Sequence, residues 1–195
     1  MIKIFAFSDC HGNYLPKVPK DTDLLIFCGD ACWNLDQAEA YKFLHWFYKQ
    51  PGKKKILVPG NHDYYFENHP HVWINKYKKV FGYDVLGTPY TREFCGWNYM
   101  KTEDELREMY SKFPDKVDIL ISHGAPYGIL DEYQNEHIGD KALREYIERV
   151  RPALHIFGHI HSKERYINSI GINFHNVSIC DHFNVPTKEG TVIKL

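Results

Sequence analysis

Short apolar runs recur along the chain, and most of them end in a cluster of polar residues. Runs of this length are typical of buried strands when turn-forming or polar residues bound them. We predict five buried strands in this way, at 2–7, 24–28, 56–58, 117–122 and 155–157. Two later segments, 165–170 and 172–177, predict a hairpin, and 191–195 predicts a last edge strand.

Segments with helical spacing of apolar residues alternate with these strands. Thr102 and Glu105 have the spacing of a capping box, which predicts that a helix begins there. We predict four helices, at 36–49, 72–80, 102–112 and 140–150. Residues 84–100 are expected to be β-structure with turns, and 125–138 a long loop.

This order of elements predicts the fold class. Strands and helices alternate first, and antiparallel-looking strands follow late in the chain, so we expect a mixed α/β sandwich with sheets inside and helices outside. With 195 residues the chain is long enough for one domain with a substantial core. We therefore predict a single domain over residues 1–195.

Composition and charge narrow the function classes. A net charge of −1 and a pI of about 6.9 argue against a broad nucleic-acid-binding surface. No apolar run approaches the roughly 18 residues of a membrane span, and the N-terminal residues show no leader pattern. The five cysteines include no Cys-x-x-Cys pair, which favours a reducing compartment. We expect a cytoplasmic protein that does not associate with a membrane.

Polar groups follow all five predicted buried strands. They are Asp9 and His11, Asp30, Asn61 with His62 and Asp63, His123, and His159 with His161. In an open α/β sheet, ligands bind at the loops that follow the carboxyl ends of the strands. Nitrogen and oxygen donors without a thiolate suit borderline or hard divalent metals. Cys10, between two of these residues, is predicted to face the core instead.

The spacing of these residues predicts how they meet. On an extended backbone, residues two apart such as Asp9 and His11 point to the same side, and the same spacing recurs in His159 and His161. Asp30 is positioned to bridge two ions, and Asn61 and His123 would complete the ligand set of the second ion. Gly60 is expected to let the backbone turn sharply after its strand.

The motifs Asp-x-His, Gly-Asp, Gly-Asn-His-Asp, a single His and Gly-His-x-His occur in this order over residues 9–161. In this combination the chain resembles the calcineurin-like metallophosphoesterase superfamily. The resemblance implies a four-layer α/β/β/α sandwich with mixed sheets. It also implies a binuclear metal centre whose two ions share one carboxylate.

Carried over by position, the family pattern implies a role for each residue. The implied ligands of the first ion are Asp9, His11, Asp30 and His161. The implied ligands of the second ion are Asp30, Asn61, His123 and His159. His62 is expected near the substrate rather than on a metal, and Asp63 is expected to orient it.

The mechanism implied is that of a metal-dependent phosphoric ester hydrolase. Two divalent ions about 3.5–4 Å apart would hold a bridging hydroxide that attacks the phosphate in line. His62 would act as the general acid on the leaving oxygen. Mn²⁺ is the expected metal, with Fe and Zn²⁺ as alternatives because both suit the same donors.

The expected substrate is a small phosphate ester, with phosphodiesters favoured. Protein Ser/Thr phosphatases of the superfamily carry an Asp-Arg-Gly run after Gly-Asp, and here Ala31, Cys32 and Trp33 follow instead. The segments 87–90 and 122–126 resemble a compact subgroup that acts on phosphodiesters, including cyclic nucleotides. The missing arginine also leaves less positive charge for a dianion.

Three alternatives stay open at this point. The same site could serve a phosphomonoesterase or a nuclease, although the lysines at 53–55 and 76–79 are the only basic clusters. A catalytically silent metal-binding scaffold is the third alternative. The residues beside the motifs could form a pocket wall or pack in the core or loops; they are Trp33, Asn34, Tyr64, Tyr65 and Tyr127. The sequence carries no signal for the oligomeric state.

Overall fold

The computed structural model describes residues 1–33, 36–161 and 165–195. Within them the helices are α1 (Gln37–Lys49), α2 (Glu103–Ser111) and α3 (Lys141–Val150). The strands are β1 (Lys3–Phe7), β2 (Leu24–Phe27), β3 (Lys54–Leu57), β4 (Lys76–Val80), β5 (Tyr83–Thr88), β6 (Thr91–Arg92), β7 (Met100–Lys101), β8 (Ile119–Ser122), β9 (Glu132–Tyr133), β10 (Glu136–His137), β11 (Leu154–Phe157), β12 (Tyr166–Ser169), β13 (Ile172–Asn176) and β14 (Thr191–Lys194).

Two mixed sheets form the centre of the molecule. The first has the strand order β14-β1-β2-β3, with β1, β2 and β3 parallel and β14 antiparallel at one edge. The second has the order β12-β13-β11-β8-β5-β4, with four parallel strands flanked by antiparallel β12 and β4. The late hairpin and the last edge strand are therefore confirmed.

Alternation along the strands divides the core into three layers of side chains. Ile26 of β2 packs with Ile121 and Ile156 of the second sheet, so these side chains fill the space between the sheets. Phe27, the next residue of β2, packs instead against α1 on the outer face. Buried side chains of α2 and α3 cover the outer face of the second sheet. The expected four-layer α/β/β/α sandwich is confirmed.

The helix ends follow the local chemistry of the sequence. The Thr102 side chain accepts a hydrogen bond from the Glu105 N–H, and the Glu105 carboxylate accepts one from the Thr102 N–H. The capping box is therefore confirmed. Asp36 and Asp140 cap α1 and α3 in a similar way with their carboxylates. No helix in the described part of the chain is both long enough and apolar enough to cross a membrane.

The helix predicted over residues 72–80 is wrong. Strand β4 occupies the second half of this segment and pairs antiparallel with β5. Phe81 and Gly82 both have positive φ values, 51° and 88°. Two positive φ values in succession are typical of the two-residue turn that connects the strands of a β-hairpin. Edge pairing with the second sheet therefore outweighs the helical spacing. The predicted loop over 125–138 likewise contains a short hairpin, β9 with β10.

Candidate metal centre

The seven residues predicted to bind metal lie in loops that follow parallel strands of both sheets. Asp9 and His11 follow β1, and Asp30 follows β2. The remaining four follow β3, β8 and β11, and they are Asn61, His123, His159 and His161. All of them are buried except His159 and His161, which are half-buried. The carboxyl ends of the parallel strands thus converge on one site.

The backbone of these loops differs from the extended form that we expected. Asp9, His11, Asp30 and His159 have φ values of 58°, 44°, 61° and 68°, in the left-handed region. Hydrogen bonds between neighbouring loops accompany this backbone: the Asp9 N–H donates to the Gly29 carbonyl at 2.8 Å, and the His11 N–H donates to the Asp30 carbonyl at 3.1 Å. Strand alternation is therefore the wrong reason for the convergence. Cross-loop hydrogen bonds bring the side chains together.

One group of donor atoms gathers around His161. Its Nε2 lies 3.5 Å from Asp9 Oδ1 and 3.4 Å from His11 Nε2. Asp30 Oδ2 lies 4.0 Å from His11 Nε2 on the other side. Asp9, His11 and His161 each place a ligand atom within 4.8 Å of the others, a spacing that a single ion could span.

A second group gathers around His123. Its Nε2 lies 2.9 Å from Asn61 Oδ1, 3.1 Å from His159 Nδ1 and 3.5 Å from Asp30 Oδ2. The same oxygen of Asp30 therefore faces both groups. This is the position expected of a carboxylate shared between two ions.

The hydrogen bonds behind the site show that its donor set suits cations. His123 Nδ1–H donates to the Cys28 carbonyl at 2.7 Å, and His161 Nδ1–H donates to the Asp181 carbonyl at 2.7 Å. In the neutral rings, each Nε2 lone pair then points at carboxylate or amide oxygens. Lone pairs that face one another repel unless a cation or a proton lies between them. The residues present thus fit divalent metal ions.

Electrostatics keeps the two carboxylates of the site ionised. Burial raises the pKa of Asp9, but the hydrogen bond and charge of His161 outweigh it and lower that pKa to about 2. Burial also opposes ionisation of Asp30, yet His123 holds the pKa of Asp30 far below its usual range. Burial lowers the pKa of His123, and the Asp30 charge reverses this and raises it to about 9. The two carboxylates therefore stabilise positive charge at the centre.

His62 lies at the rim of the site between two tryptophans. Its Nδ1–H donates to the Trp33 carbonyl at 2.8 Å. The Trp33 ring stacks on the imidazole at 6.1 Å, and the Trp97 ring lies 4.3 Å away. A nitrogen of His62 falls within 4.8 Å of ligand atoms of His11 and Asp30. His62 is thus held by a backbone carbonyl with its ring beside the candidate ligands His11 and Asp30.

Asp63 does not have the orienting role that we predicted. Its Oδ2 accepts from the N–H groups of Asp30 and Gly60 at 2.8 and 2.9 Å. Its Oδ1 accepts from the N–H groups of Ala31 and Cys32 at 3.0 and 3.3 Å. Burial and the Asp30 charge raise the pKa of Asp63 to about 7, and the amide donors act in the opposite direction. Asp63 therefore fixes the loop after β2, and the Trp33 carbonyl positions His62.

Gly60 serves close packing rather than a turn with positive φ. Its φ is not among the positive values of the chain. A Cβ at this position would lie 2.2 Å from Asp30 Oδ1 and 2.7 Å from His123 Cε1. The absence of a side chain thus lets the loop after β3 approach the candidate ligands Asp30 and His123. Close packing, and not the sharp turn that we expected, explains this glycine.

A cavity of about 430 Å³ opens beside His159 and His161. Its wall includes Arg92, Phe94 and Tyr133, which sequence reasoning missed. Arg92 and Phe94 come after the parallel strand β5, and Tyr133 lies in the β9–β10 hairpin. The position of Arg92 and Phe94 after a parallel strand is the one sequence signal that could have identified them. Of the flanking residues considered above, Trp33 contacts His62, while Tyr64, Tyr65 and Tyr127 do not line this cavity. Asn34 lies outside the described residues.

Several known proteins and one family model are similar to this chain. A family model described as calcineurin-like phosphoesterase matches residues 2–163. Metallophosphoesterase domain-containing protein 1 of Homo sapiens is 28% identical over 230 residues, which cover 99% of this chain and 71% of the relative.

Solved structures show the same fold. A protein of Thermus thermophilus, TT1561, superposes with a TM-score of 0.60 at 14% identity, covering 90% of this chain and 88% of that one. Vacuolar Protein Sorting 29 from Cryptosporidium parvum superposes with a TM-score of 0.50 at 11% identity, covering 95% and 79% of the two chains. At these identities the likeness concerns the fold alone.

Proposed function

The chain belongs to the calcineurin-like phosphoesterase family, and from this premise we propose that it is a binuclear metal-dependent phosphoesterase that prefers phosphodiesters. Family membership and the grouped His and Asp side chains support a metal-dependent phosphoester hydrolase. One observation carries the binuclear part of the proposal. Asp30 Oδ2 lies 4.0 Å from His11 Nε2 and 3.5 Å from His123 Nε2, between two separate groups of donors.

Two sets of residues would hold the ions. The first set is Asp9, His11, Asp30 and His161, and the second is Asp30, Asn61, His123 and His159. When bound, such ions supply a water nucleophile at neutral pH and neutralise charge on the phosphate. The protein contributes the fixed geometry, since Cys28 and Asp181 carbonyls hold His123 and His161 from behind.

His62 supplies the proton in this proposal. Because its Nδ1–H donates to the Trp33 carbonyl, the acid form is the imidazolium, and the proton that it transfers is the one on Nε2. That proton passes to the ester oxygen as the bond to phosphorus breaks, and the leaving group departs as a neutral alcohol. General-acid catalysis of this kind contributes roughly 10²–10⁴-fold.

Metal content and activity test the binuclear centre together. We expect purified protein loaded with Mn²⁺ to hydrolyse bis-p-nitrophenyl phosphate and to lose this activity after chelation. Asp30→Asn should lose most of the activity and bind fewer ions. Asp104→Asn is the matched control because its side chain is 96% exposed on α2. Full activity in Asp30→Asn, or activity that survives complete chelation, would contradict the proposal.

Diester preference is tested with matched esters. We expect turnover of bis-p-nitrophenyl phosphate to exceed that of p-nitrophenyl phosphate, because Ala31, Cys32 and Trp33 place no cation after Asp30. Faster turnover of the monoester would favour a phosphomonoesterase. No turnover of either ester by metal-loaded protein would favour the silent scaffold. Tight, salt-sensitive binding of single-stranded DNA would favour a nuclease.

The general-acid role depends on the leaving group. Diphenyl phosphate releases a more basic oxygen than bis-p-nitrophenyl phosphate does, so it needs a proton donor more. We expect His62→Asn to lose about 10²-fold or more on diphenyl phosphate and much less on the nitrophenyl ester. His45→Asn is the control because His45 is exposed on α1. Equal losses on both esters would exclude proton transfer by His62.

A further inference from the structure

The cavity beside the candidate metal centre contains an arginine that has no polar partner in the part of the chain that the structure describes. Arg92 is half-buried, and no described residue forms a hydrogen bond or an ion pair with its guanidinium. Its neighbour across the β6–β7 pair, Lys101, instead places its ammonium 5.1 Å from the centroid of the Tyr90 ring. A half-buried cation that lacks an acceptor among the described residues is suited to an anion on a ligand.

The backbone around Arg92 is fixed before any ligand binds. The Thr91 N–H donates to the Tyr99 carbonyl at 3.0 Å, and the Glu93 N–H donates to the Lys101 carbonyl at 2.8 Å. These bonds flank Arg92 on both sides, so its Cα position does not depend on a ligand. A preorganised cation loses less freedom on binding than one on a mobile loop.

The rest of the wall is apolar and aromatic. Phe94 is 55% exposed, and its ring lies 5.6 Å from the His159 ring. Tyr133 is 48% exposed on the facing hairpin, and Ile160 is buried beneath. Exposed rings that border a cavity of about 430 Å³ bind planar groups well, because such groups bury large areas against them.

We propose that Arg92 and Phe94 form a specificity subsite for a planar group that carries a second negative charge. This group belongs to the phosphate ester itself, so the inference rests on the proposed function. His62 is not among the residues that line the cavity. The subsite therefore takes the ester group that stays on phosphorus, while the leaving group lies on the side of His62.

A different role for Arg92 would be to contact the phosphate that is hydrolysed. The two roles predict different affinities for ligands that share one phosphorus group. If Arg92 binds the phosphorus group, every such ligand gains equally from it. If Arg92 binds a second anion, only ligands with that anion gain, and the difference disappears with the guanidinium.

Binding of two phosphinates tests the subsite without any hydrolysis. Dibenzylphosphinate and its derivative with one 4-carboxyl group lack an ester bond, and they differ only in the carboxylate that supplies the second charge. We expect calorimetry to show the carboxylated compound binding the Mn²⁺-loaded wild type about tenfold more tightly or better, as charge-assisted hydrogen bonds allow. In Arg92→Gln the ratio should fall to about one. Lys101→Gln is the control and should keep the wild-type ratio.

Two results would overturn the proposal. One is equal affinity of the two compounds for the wild type, and the other is a preference that survives in Arg92→Gln. A parallel assay uses phenyl p-nitrophenyl phosphate and its 4-carboxyphenyl analogue, which release the same nitrophenolate. If neither ester is hydrolysed while the binding preference holds, the proposed function fails and the subsite stands. If both are hydrolysed at equal kcat/KM, the subsite fails and the proposed function stands.

Discussion

Both carboxylate oxygens of Asp63 accept backbone N–H groups, two on each oxygen. The side chain is fully buried. Water therefore cannot accept the hydrogen bonds of these four N–H groups if the carboxylate is removed. Three of them belong to consecutive residues that begin at Asp30. A residue inside the Gly-Asn-His-Asp motif therefore controls the backbone of the loop that carries Asp30.

We expect Asp63→Asn to destabilise the protein. The amide NH₂ would face two buried N–H donors, and each unsatisfied donor costs about 1–3 kcal/mol. The free energy of unfolding in urea should fall by about 2–4 kcal/mol. Asp104→Asn, with its side chain 96% exposed, should change it by less than about 0.5 kcal/mol. Equal unfolding midpoints for Asp63→Asn and wild type would contradict this account.

His155 is a buried histidine outside the metal centre. The Ser122 hydroxyl donates to the Gly124 carbonyl at 2.7 Å, so its oxygen accepts from His155 Nε2–H at 2.8 Å. Nδ1 of His155 has no partner among the described residues. A second proton there would be a buried charge without an acceptor, and burial accordingly lowers the pKa of His155 to about 3.

This lowered pKa predicts a pH dependence of stability. The folded state keeps His155 neutral between its unfolded pKa of 6.5 and about 3, so the unfolded state binds more protons in that range. The contribution of neutral His155 to the free energy of unfolding is complete above pH 6.5. It is lost as the pH falls below 6.5, by up to about 1.4 kcal/mol per pH unit. We expect His155→Gln, which can still donate to Ser122, to show a shallower loss of unfolding free energy between pH 6 and 4. Parallel curves for the two proteins would disprove the assignment.

At the scale of elements, the loops after β2 and β3 pack directly on each other through glycine. A Cβ on Gly29 would lie 2.6 Å from the Gly60 nitrogen, and one on Gly60 would lie 2.5 Å from the Asp30 nitrogen. Neither contact involves the free end of a flexible side chain. The approach of the two strand ends therefore has no room for a methyl group.

Gly60→Ala should separate these strand ends. We expect a large loss of metal affinity and activity, because both Asp30 and His123 must move away from the new methyl group. Gly82→Ala is the control: its φ is +88° and no atom lies within 4 Å of the added Cβ, so it should cost backbone strain of about 1 kcal/mol and leave metal affinity unchanged. Calorimetric titration with Mn²⁺ compares the two variants. Wild-type affinity in Gly60→Ala would contradict the packing argument.

At the scale of the whole molecule, the candidate metal centre ties the two sheets together. Asp9, Asp30 and Asn61 come from the first sheet, and His123 and His159 come from the second. The parallel strand ends of both sheets thus contribute donors to one place. An ion bound by residues of both sheets stabilises only the folded state, in which those donors are close.

Metal removal should therefore lower thermal stability. At a free Mn²⁺ concentration 100 times Kd, binding stabilises the folded state by about 2.7 kcal/mol, which for a chain of this size raises Tm by roughly 5–10 °C. We expect scanning calorimetry to show this rise for wild type and a much smaller one for Asp30→Asn. An equal rise in the two proteins would mean that Mn²⁺ binds elsewhere.

Much of the sandwich could be predicted from local patterns. Apolar runs mark buried strands because burial on both faces requires continuous apolar sequence, and the capping box at Thr102 depends only on residues within one turn. The segment 72–80 failed because its strand exists through pairing with the edge of the second sheet, and no local pattern encodes that neighbour. Partners of β-edges lie far away in sequence, so tertiary contacts decide them.

The sequence by itself determined which candidate donor residues meet, because nitrogen and oxygen donors after parallel strands must collect at one edge of each sheet. Only the tertiary structure decided what each donor contacts. It assigned Asp63 to the N–H groups of the neighbouring loop and His62 to the Trp33 carbonyl, and it placed Arg92 beside His159 in one cavity. The physical reason is that hydrogen bonds and cavities depend on distances between remote segments, which a one-dimensional pattern does not contain.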